Sequence, residues 1–229
     1  MADKLCAIVG AGPGNGAAFA RRFADAGYRV ALLARDRQRL ETLAHGIPGA
    51  VAVPCDVTDE VAIAQAFAPL GSVDTLIYNA GNFVLGTVHD TRPQVLDDAF
   101  AVNCTGCLLA VQRVMPGMLA RGSGTIIVIG ATASRRGGAG ALPFATAKAG
   151  QRVMAESMAR ALGPLGIHVA YVTVDGVIDT PDTRLLFSTQ PDEFFLHADA
   201  IARTVFHLAE QSRAAWTFEL ELRPFGERW

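Results

Sequence analysis

Four glycines lie within seven residues near the start of the chain, in the segment GAGPGNG from Gly10 to Gly16. The segment follows a strand-like apolar run and precedes the helical pattern of residues 17–26. Glycine lets the backbone approach a phosphate closely, and the first turn of a helix offers free amides and a positive dipole to an anion. The sequence therefore predicts a dinucleotide diphosphate site, with the candidates Gly10, Gly12, Gly14, Asn15 and Gly16.

The next apolar run bears on the ribose of such a cofactor. It ends ALLARD, with Ala34 at its tip, followed by Arg35 and Asp36. An acidic residue at the tip would accept hydrogen bonds from the ribose hydroxyls of NAD, whereas arginine can bind a 2′-phosphate and stack on adenine. Arg35 favours NADP. A shift of one residue would bring Asp36 to the ribose, so NAD stays possible.

A regular alternation of strand-like and helical segments must position these residues. The strand-like segments are LCAIVG, YRVALLA, AVAVP, VDTLIYN, GTIIVIG, IHVAYVTV and WTFELEL. The first six are apolar on both faces, which is typical of a parallel sheet covered by helices. Residues 1–229 contain no linker or repeat. We predict a single α/β domain, a Rossmann-type doubly wound parallel sheet of about seven strands with helices on both faces.

Composition excludes several classes of function. Hydrophobic residues make up 51% and charged residues 18%, which argues against disorder, and a net charge of −2 gives no basis for binding nucleic acid or an anionic membrane. No stretch approaches the roughly 20 apolar residues of a membrane span. We expect a cytoplasmic protein with a small-molecule partner and no bound metal. Cys104 and Cys107 form a CxxC pair without a second pair, so we expect packed thiols.

Further motifs follow in order along the chain. YNAG closes the fourth strand-like segment, AVNCTG contains Asn103, and Lys148 lies in the helical segment ALPFATAKAG. With the glycines of the first segment, these motifs resemble the short-chain dehydrogenase/reductase family over nearly the whole chain. The resemblance implies that Asn103 organises an active-site water and that Lys148 is catalytic and binds the nicotinamide ribose. It also implies cofactor contacts from Asp56, Val57, Asn79, Ala80, Gly81, Gly176, Val177 and Thr180.

Three positions depart from the family pattern. The family acid is a tyrosine four residues before the lysine, where this chain has Phe144. Its partner serine lies thirteen residues earlier, where this chain has Ala131, and the proline before Gly176 is replaced by Asp175. Reduction of a carbonyl needs a hydride on carbon and a proton on oxygen, and a phenyl ring donates no proton. Loss of a general acid typically lowers a rate by about 10²–10⁴.

Other groups could supply the proton. Asp175 is the first candidate, because a partly desolvated carboxyl beside the nicotinamide could stay protonated. The other candidates are a water ordered by the asparagine and the lysine, and the side chains of Thr132, Ser134 and His89. Arg135 and Arg136 could bind an anionic substrate or only be solvated.

The last third of the chain concerns the substrate and the assembly. Residues 181–198 lie where the family places a substrate lid, and their leucines and phenylalanines suggest a modest apolar or aromatic substrate. The C-terminal segment with Trp216 and Trp229 resembles the edge region through which family members oligomerise. We expect a homodimer or homotetramer.

Three functions follow from these features. The favoured one is an NADP-dependent oxidoreductase that acts on a carbonyl or an alcohol with an unusual proton source. The absence of both hydroxyls supports an alternative, a dinucleotide-binding sensor or scaffold without turnover. An isomerase or lyase on the same scaffold stays open, because a fold does not fix a function.

Overall fold

Parallel strands form the centre of the molecule. The computed structural model describes residues 4–226, and its strands are β1 Leu5–Val9, β2 Arg29–Ala34, β3 Ala50–Pro54, β4 Thr75–Tyr78, β5 Gly124–Ala131, β6 Ile167–Val174, β7 Val177–Ile178, β8 Phe195–Leu196 and β9 Glu219–Leu222. Seven of them form one sheet in the order β3-β2-β1-β4-β5-β6-β9, and every neighbouring pair is parallel. The predicted seven-stranded parallel sheet is confirmed. Strands β7 and β8 form a separate parallel pair.

Helices connect these strands. They are α1 Asn15–Asp25, α2 Arg37–His45, α3 Glu60–Phe67, α4 Pro93–Phe100, α5 Gly106–Arg121, α6 Leu142–Leu162, α7 Pro181–Leu186 and α8 Ala198–Ala209. A π-helical segment, Ala101–Thr105, joins α4 to α5. The predicted alternation of strands with helices is found, whereas the π-helical segment, α7 and the β7–β8 pair were not predicted.

Each face of the sheet carries its own apolar cluster, as the alternation of strand residues requires. In β1, Leu5, Ala7 and Val9 pack with residues of α3, α5 and α6, while Cys6 and Ile8 pack with residues of α1, α2 and α8. The sheet is therefore covered on both faces, which confirms the doubly wound α/β architecture.

One helical run corrects an expectation from the sequence. Pro93–Arg121 is long and apolar enough to cross a membrane by length and composition alone. In the fold, its residues Cys107, Ala110, Val114 and Met118 lie in the core cluster against the sheet. Packing on one face of the sheet therefore uses part of the apolar surface of this run.

The strand order reverses between β1 and β4, and in an open parallel sheet the cleft at such a point receives ligands. Because the strands are parallel, their carboxyl ends meet at one edge. Gly10, Asn79, Thr132 and Asp175 each follow a strand at this edge. The predicted chemical residues are thus brought to one side of the sheet.

Candidate active site

The first turn after β1 is held against the backbone that follows β4. Gly10 has a φ of 85°, and a Cβ placed on it would overlap the backbone of Ala80. Its amide donates to Leu33 O at 2.8 Å, and Asn79 Nδ2 donates to Gly10 O at 2.8 Å. A residue with a side chain could not occupy position 10 without moving this junction, so the glycine loop and the Asn79–Gly81 segment form one unit.

The other loop glycines allow two further close approaches. A Cβ on Gly16 would lie 2.6 Å from Ala11 Cα, and a Cβ on Gly14 would lie 2.9 Å from Thr180 Cγ2. Thr180, predicted to contact the cofactor, therefore lies against the loop. Gly14 caps α1 without a side-chain hydrogen bond, and Asn15 Oδ1 is buried with no hydrogen-bond partner among the described residues. The helix start thus keeps its capacity to bind an anion.

A cavity of about 670 Å³ opens beside this unit, a volume suited to a small-molecule ligand. Its walls include many of the predicted cofactor residues, namely Gly10, Gly12, Arg35, Asp56, Val57, Asn79, Ala80 and Gly81. Other predicted residues lie beyond these walls, namely Gly14, Asn15, Gly16, Gly176, Val177 and Thr180. Gly12 has no atom within 4 Å of a Cβ placed on it, so its backbone borders free space.

Charged groups at the rim of the cavity have distinct partners. Arg35 lines the cavity, whereas Asp36 caps α2 by accepting a hydrogen bond from Arg39 N at 3.0 Å. Asp56 accepts hydrogen bonds from the amide and the hydroxyl of Thr58 at 2.9 and 2.8 Å. The Thr58 amide, with help from the Thr58 hydroxyl and the Arg35 charge, lowers the pKa of Asp56, against the opposing effect of burial. The rim thus combines the cation of Arg35 with a carboxylate that stays ionised.

Lys148 lies buried on α6, close to the end of the Asn79–Gly81 segment. Its ammonium donates to Ile129 O and to Gln151 Oε1, each at 3.0 Å, and Nζ lies 3.4 Å from a Cβ placed on Gly81. Burial lowers the pKa of Lys148 to about 8. The lysine is therefore an ammonium at neutral pH that loses its proton far more readily than an exposed lysine.

Asn103 lies beside the lysine, in the π-helical segment. Its Nδ2 donates to Asn82 Oδ1 at 2.8 Å and to Ala99 O at 2.9 Å, and its backbone carbonyl accepts from Gln151 Nε2 at 2.7 Å. The Asn103 Oδ1 atom is buried without a hydrogen-bond partner among residues 4–226, 3.2 Å from a Cβ placed on Gly81. Asn103 and Lys148 both lie close to Gly81, and the roles that the resemblance implies for them stay predictions.

Gln151 is the residue of this site that the sequence reasoning missed. It lies three residues after Lys148 on the buried stripe of α6 that also includes Ala147 and Ala155. The sequence signal for Gln151 was a polar residue on the apolar stripe of a helix. A glutamine buried there needs hydrogen-bond partners for both its oxygen and its nitrogen.

Phe144 lies on the same face of α6, one turn before the lysine. It is half-buried and packs edge-to-face against Phe83, with the ring centroids 5.1 Å apart. Phe83 is 72% exposed. The two rings form an apolar surface open to solvent.

Ala131 and Asp175 lie at the ends of neighbouring strands. Ala131 pairs with Val174 in the β5–β6 register, so Asp175 follows directly. Asp175 is 6% exposed, accepts a hydrogen bond from Thr132 Oγ1, and lies 3.8 Å from an Arg136 nitrogen. The buried carboxylate therefore has a hydroxyl partner and a nearby guanidinium.

Ser134, His89 and Arg135 are further candidates from the sequence. Ser134 is buried in the turn after β5, and His89 is exposed in a turn. Arg135 forms ion pairs with Glu219 at 2.9 Å and Glu221 at 3.6 Å, so its charge is engaged with the edge strand.

The predicted lid, residues 181–198, begins with α7. Thr180 caps this helix in a reciprocal pair of hydrogen bonds with Thr183. Leu185 and Leu186 are 79% and 76% exposed, whereas Phe195 and Leu196 are buried. Only part of the expected apolar inner surface is therefore covered, and the lid role stays a prediction. Trp229, which the oligomer prediction used, lies outside the described residues.

All four cysteines are free, and burial raises the pKa of the Cys107 thiol to about 12. Within residues 4–226, no group of three or more His, Cys, Asp and Glu side chains could hold a metal ion.

Comparisons with known proteins agree with this geometry. A family model described as short chain dehydrogenase matches residues 4–191. The 2-(R)-hydroxypropyl-CoM dehydrogenase of Xanthobacter autotrophicus is 34% identical over 194 residues, which cover 80% of this chain and 77% of that protein. A solved short-chain dehydrogenase from Rhodopseudomonas palustris has a TM-score of 0.84 at 31% identity and covers 97% of this chain and 99% of its own. A metagenomic short-chain oxidoreductase in complex with NADP has a TM-score of 0.83 at 28% identity, covering 98% of each chain.

The buried lysine predicts a pH dependence of stability. Between a folded pKa of about 8 and the ordinary value of 10.5, the unfolded chain binds a proton that the folded chain does not, so stability rises with pH. The interval corresponds to about 3 kcal/mol at 1.36 kcal/mol per unit. Urea unfolding should show the free energy of unfolding of the wild type rising by about this amount relative to Lys148→Met from about pH 7.5 to about pH 10.5. A difference that stays constant over this range would contradict the burial of the ammonium.

Proposed function

Because the chain belongs to the short-chain dehydrogenase family, we propose that it is an NADP-dependent oxidoreductase that interconverts a carbonyl and an alcohol. The observation that carries the proposal is the junction of the glycine loop with the Asn79–Gly81 segment, which borders both the cavity and the Lys148 ammonium. This arrangement suits one elongated ligand in which an anionic diphosphate links two nucleosides, each with a ribose.

The residues present fit a dinucleotide. The uncapped start of α1 and the open space at Gly12 would receive the diphosphate, and Asp56 and Val57 would border the adenine. When bound, the reduced cofactor supplies a hydride. Lys148 would donate to the nicotinamide ribose, since the two chain acceptors of its ammonium leave one of its three hydrogens available.

Arg35 is the basis for preferring NADP. Arg35 lines the cavity, and the neighbouring carboxylate of Asp36 is engaged as the cap of α2. Asp36 is therefore less suited to accept from ribose hydroxyls than its place in the sequence suggested. A 2′-phosphate would find a cation at this rim.

The proposal includes an altered proton route, with Phe144 and Ala131 at the positions where the family has a tyrosine and a serine. Neither side chain can donate a proton. The rings of Phe144 and Phe83 would instead contact the substrate, which supports an apolar or aromatic substrate. The named dehydrogenase relative acts on a hydroxypropyl group, in keeping with alcohol and carbonyl chemistry.

Asp175 is the proposed partner for the proton. It accepts a hydrogen bond from Thr132 and lies 3.8 Å from a nitrogen of Arg136. In alcohol oxidation a carboxylate accepts the proton, and in the reverse direction the same group returns it. We propose that Asp175 exchanges the proton with the substrate, as a base in oxidation and as an acid in reduction.

The preference for NADP has a direct test in Arg35→Ala. Loss of a charged hydrogen bond should weaken NADPH binding by about 10- to 100-fold, while NADH binding changes by less than about threefold. Fluorescence titration of each reduced cofactor measures both affinities. Arg37→Ala is the matched control, because Arg37 is exposed and pairs with Glu41. Equal losses for the two cofactors would contradict a 2′-phosphate contact.

Restoring the hydroxyl by Phe144→Tyr should raise turnover by about 10²-fold, because a general acid typically contributes at least this much. NADPH oxidation with a panel of aromatic and aliphatic ketones measures the rate. Phe144→Leu, which changes the ring without adding a donor, should give no gain. A tyrosine variant that binds cofactor and turns over no faster than the wild type would argue against this assignment of position 144.

The role of Asp175 predicts that Asp175→Asn lowers the rate of alcohol oxidation by at least about 10²-fold while cofactor affinity stays within about threefold. Thr132→Val removes the hydroxyl partner only and should cost less, about tenfold. Steady-state kinetics in both directions, with calorimetry for the cofactor, separates the two effects. An asparagine variant with wild-type rates would remove Asp175 from the mechanism.

The alternative function is a dinucleotide-binding sensor or scaffold without turnover. The apolar side chains at positions 131 and 144 favour it, and it shares the cofactor site with the first proposal. Cofactor binding without turnover on any substrate, and without gain in Phe144→Tyr, would support the alternative. In either case we propose a homodimer or homotetramer, with the region around Trp216 and β9 as the contact.

A further inference from the structure

The side chain of Gln151 connects the lysine to the π-helical segment. Its Oε1 accepts from Lys148 Nζ at 3.0 Å, and its Nε2 donates to Asn103 O at 2.7 Å. The residue is 0% exposed, so the two hydrogen bonds form inside the protein without competition from solvent. The oxygen and the nitrogen of one side-chain amide thus bridge Lys148 and Asn103.

The bridge restricts the ammonium of Lys148. A lysine ammonium has three hydrogens, and the chain accepts two of them at Ile129 O and Gln151 Oε1. These acceptors belong to two different elements, β5 and α6, so the direction of the third hydrogen is fixed by the fold. A flexible side chain is converted into an oriented donor.

The bridge also holds the π-helical segment on α6. The amide of Gln151 reaches the carbonyl of Asn103, and the neighbouring Gly150 lets the two helices approach closely. A Cβ on Gly150 would lie 3.1 Å from Phe100 Cε1 and 3.3 Å from Cys104 Sγ. Asn103, the lysine and Gln151 therefore keep one mutual geometry.

A carboxamide differs from water or a hydroxyl in one chemical respect. It does not gain or lose a proton near neutral pH, so it cannot pass a proton between the lysine and the carbonyl of Asn103. The direct path between these two groups is filled by such an amide. A proton that leaves or reaches Lys148 has to use another direction.

We propose that Gln151 is a positioning residue that holds the Lys148 ammonium as an oriented hydrogen-bond donor and closes the proton path from Lys148 toward Asn103. The orientation of Lys148 by Gln151 does not depend on a bound cofactor. The consequence that the third hydrogen meets a ribose hydroxyl rests on the proposed function.

The test uses the fact that the chain has two lysines, Lys4 and Lys148. NMR of protein labelled with ¹³C at the lysine ε-carbon gives one signal for each, and Lys148→Met assigns them. In Gln151→Leu the ammonium loses an acceptor, so its titration midpoint should fall by about one pH unit. In Gln151→Glu a carboxylate faces the ammonium, so the midpoint should rise by about one unit.

The groups that act on this titration are known from the packing. Besides the two acceptors, the thiols of Cys104 and Cys107 are the titratable groups that influence Lys148, and neither is changed in the variants. Gln112→Leu is the matched control, because Gln112 is exposed on α5, and it should leave both signals unchanged. The signal of Lys4 serves as an internal reference in every sample.

The outcomes separate a positioning role from a purely structural one. Opposite shifts of the Lys148 midpoint in Gln151→Leu and Gln151→Glu support the proposal. An unchanged midpoint in both, or shifts in the same direction, would overturn it even if stability falls. Should Gln151→Leu fail to fold, Gln151→Met removes the same acceptor with an unbranched side chain. Because the free protein is measured, failure of cofactor binding would refute the proposed function without touching this result.

Discussion

The close approach of two backbone segments at Gly10 and Ala80 is the constraint on which the site depends. No side chain fits between them, so the turn after β1 and the segment after β4 lie against each other. The hydrogen bond from Asn79 to the Gly10 carbonyl fixes their register. The cavity, the start of α1 and the environment of Lys148 all follow from this contact, because each adjoins one of the two segments.

Much of the fold could be predicted from local pattern. Apolar runs bounded by turn residues gave the seven strands, and the parallel order followed from the alternation with helices. The glycine-rich loop could also be predicted, because a Cβ atom on Gly10 or Gly16 would overlap neighbouring backbone atoms. The sequence did not predict the π-helical segment Ala101–Thr105, because one extra residue within a helical turn leaves the apolar periodicity almost unchanged.

The site could be predicted less completely, because partners distant in sequence decide its chemistry. The position of Asp175 was identified, but its hydrogen bond with Thr132 joins residues 43 positions apart and has no sequence signature. The role of Asp36 as the cap of α2 became visible only in the structure. Gln151 was overlooked because a glutamine in a helix is ordinarily exposed, and only tertiary packing buries this one.

The contact between Gly14 and Thr180 joins two parts of the proposed dinucleotide site. Thr180 is also the cap of α7, so the phosphate loop and the first turn of that helix touch through a single side chain. Gly176, at a φ of 149°, precedes this stretch and supplies the backbone freedom at its base. Any shift of the loop backbone at Gly14 would therefore have to be accommodated by the first turn of α7, so these two elements would move together.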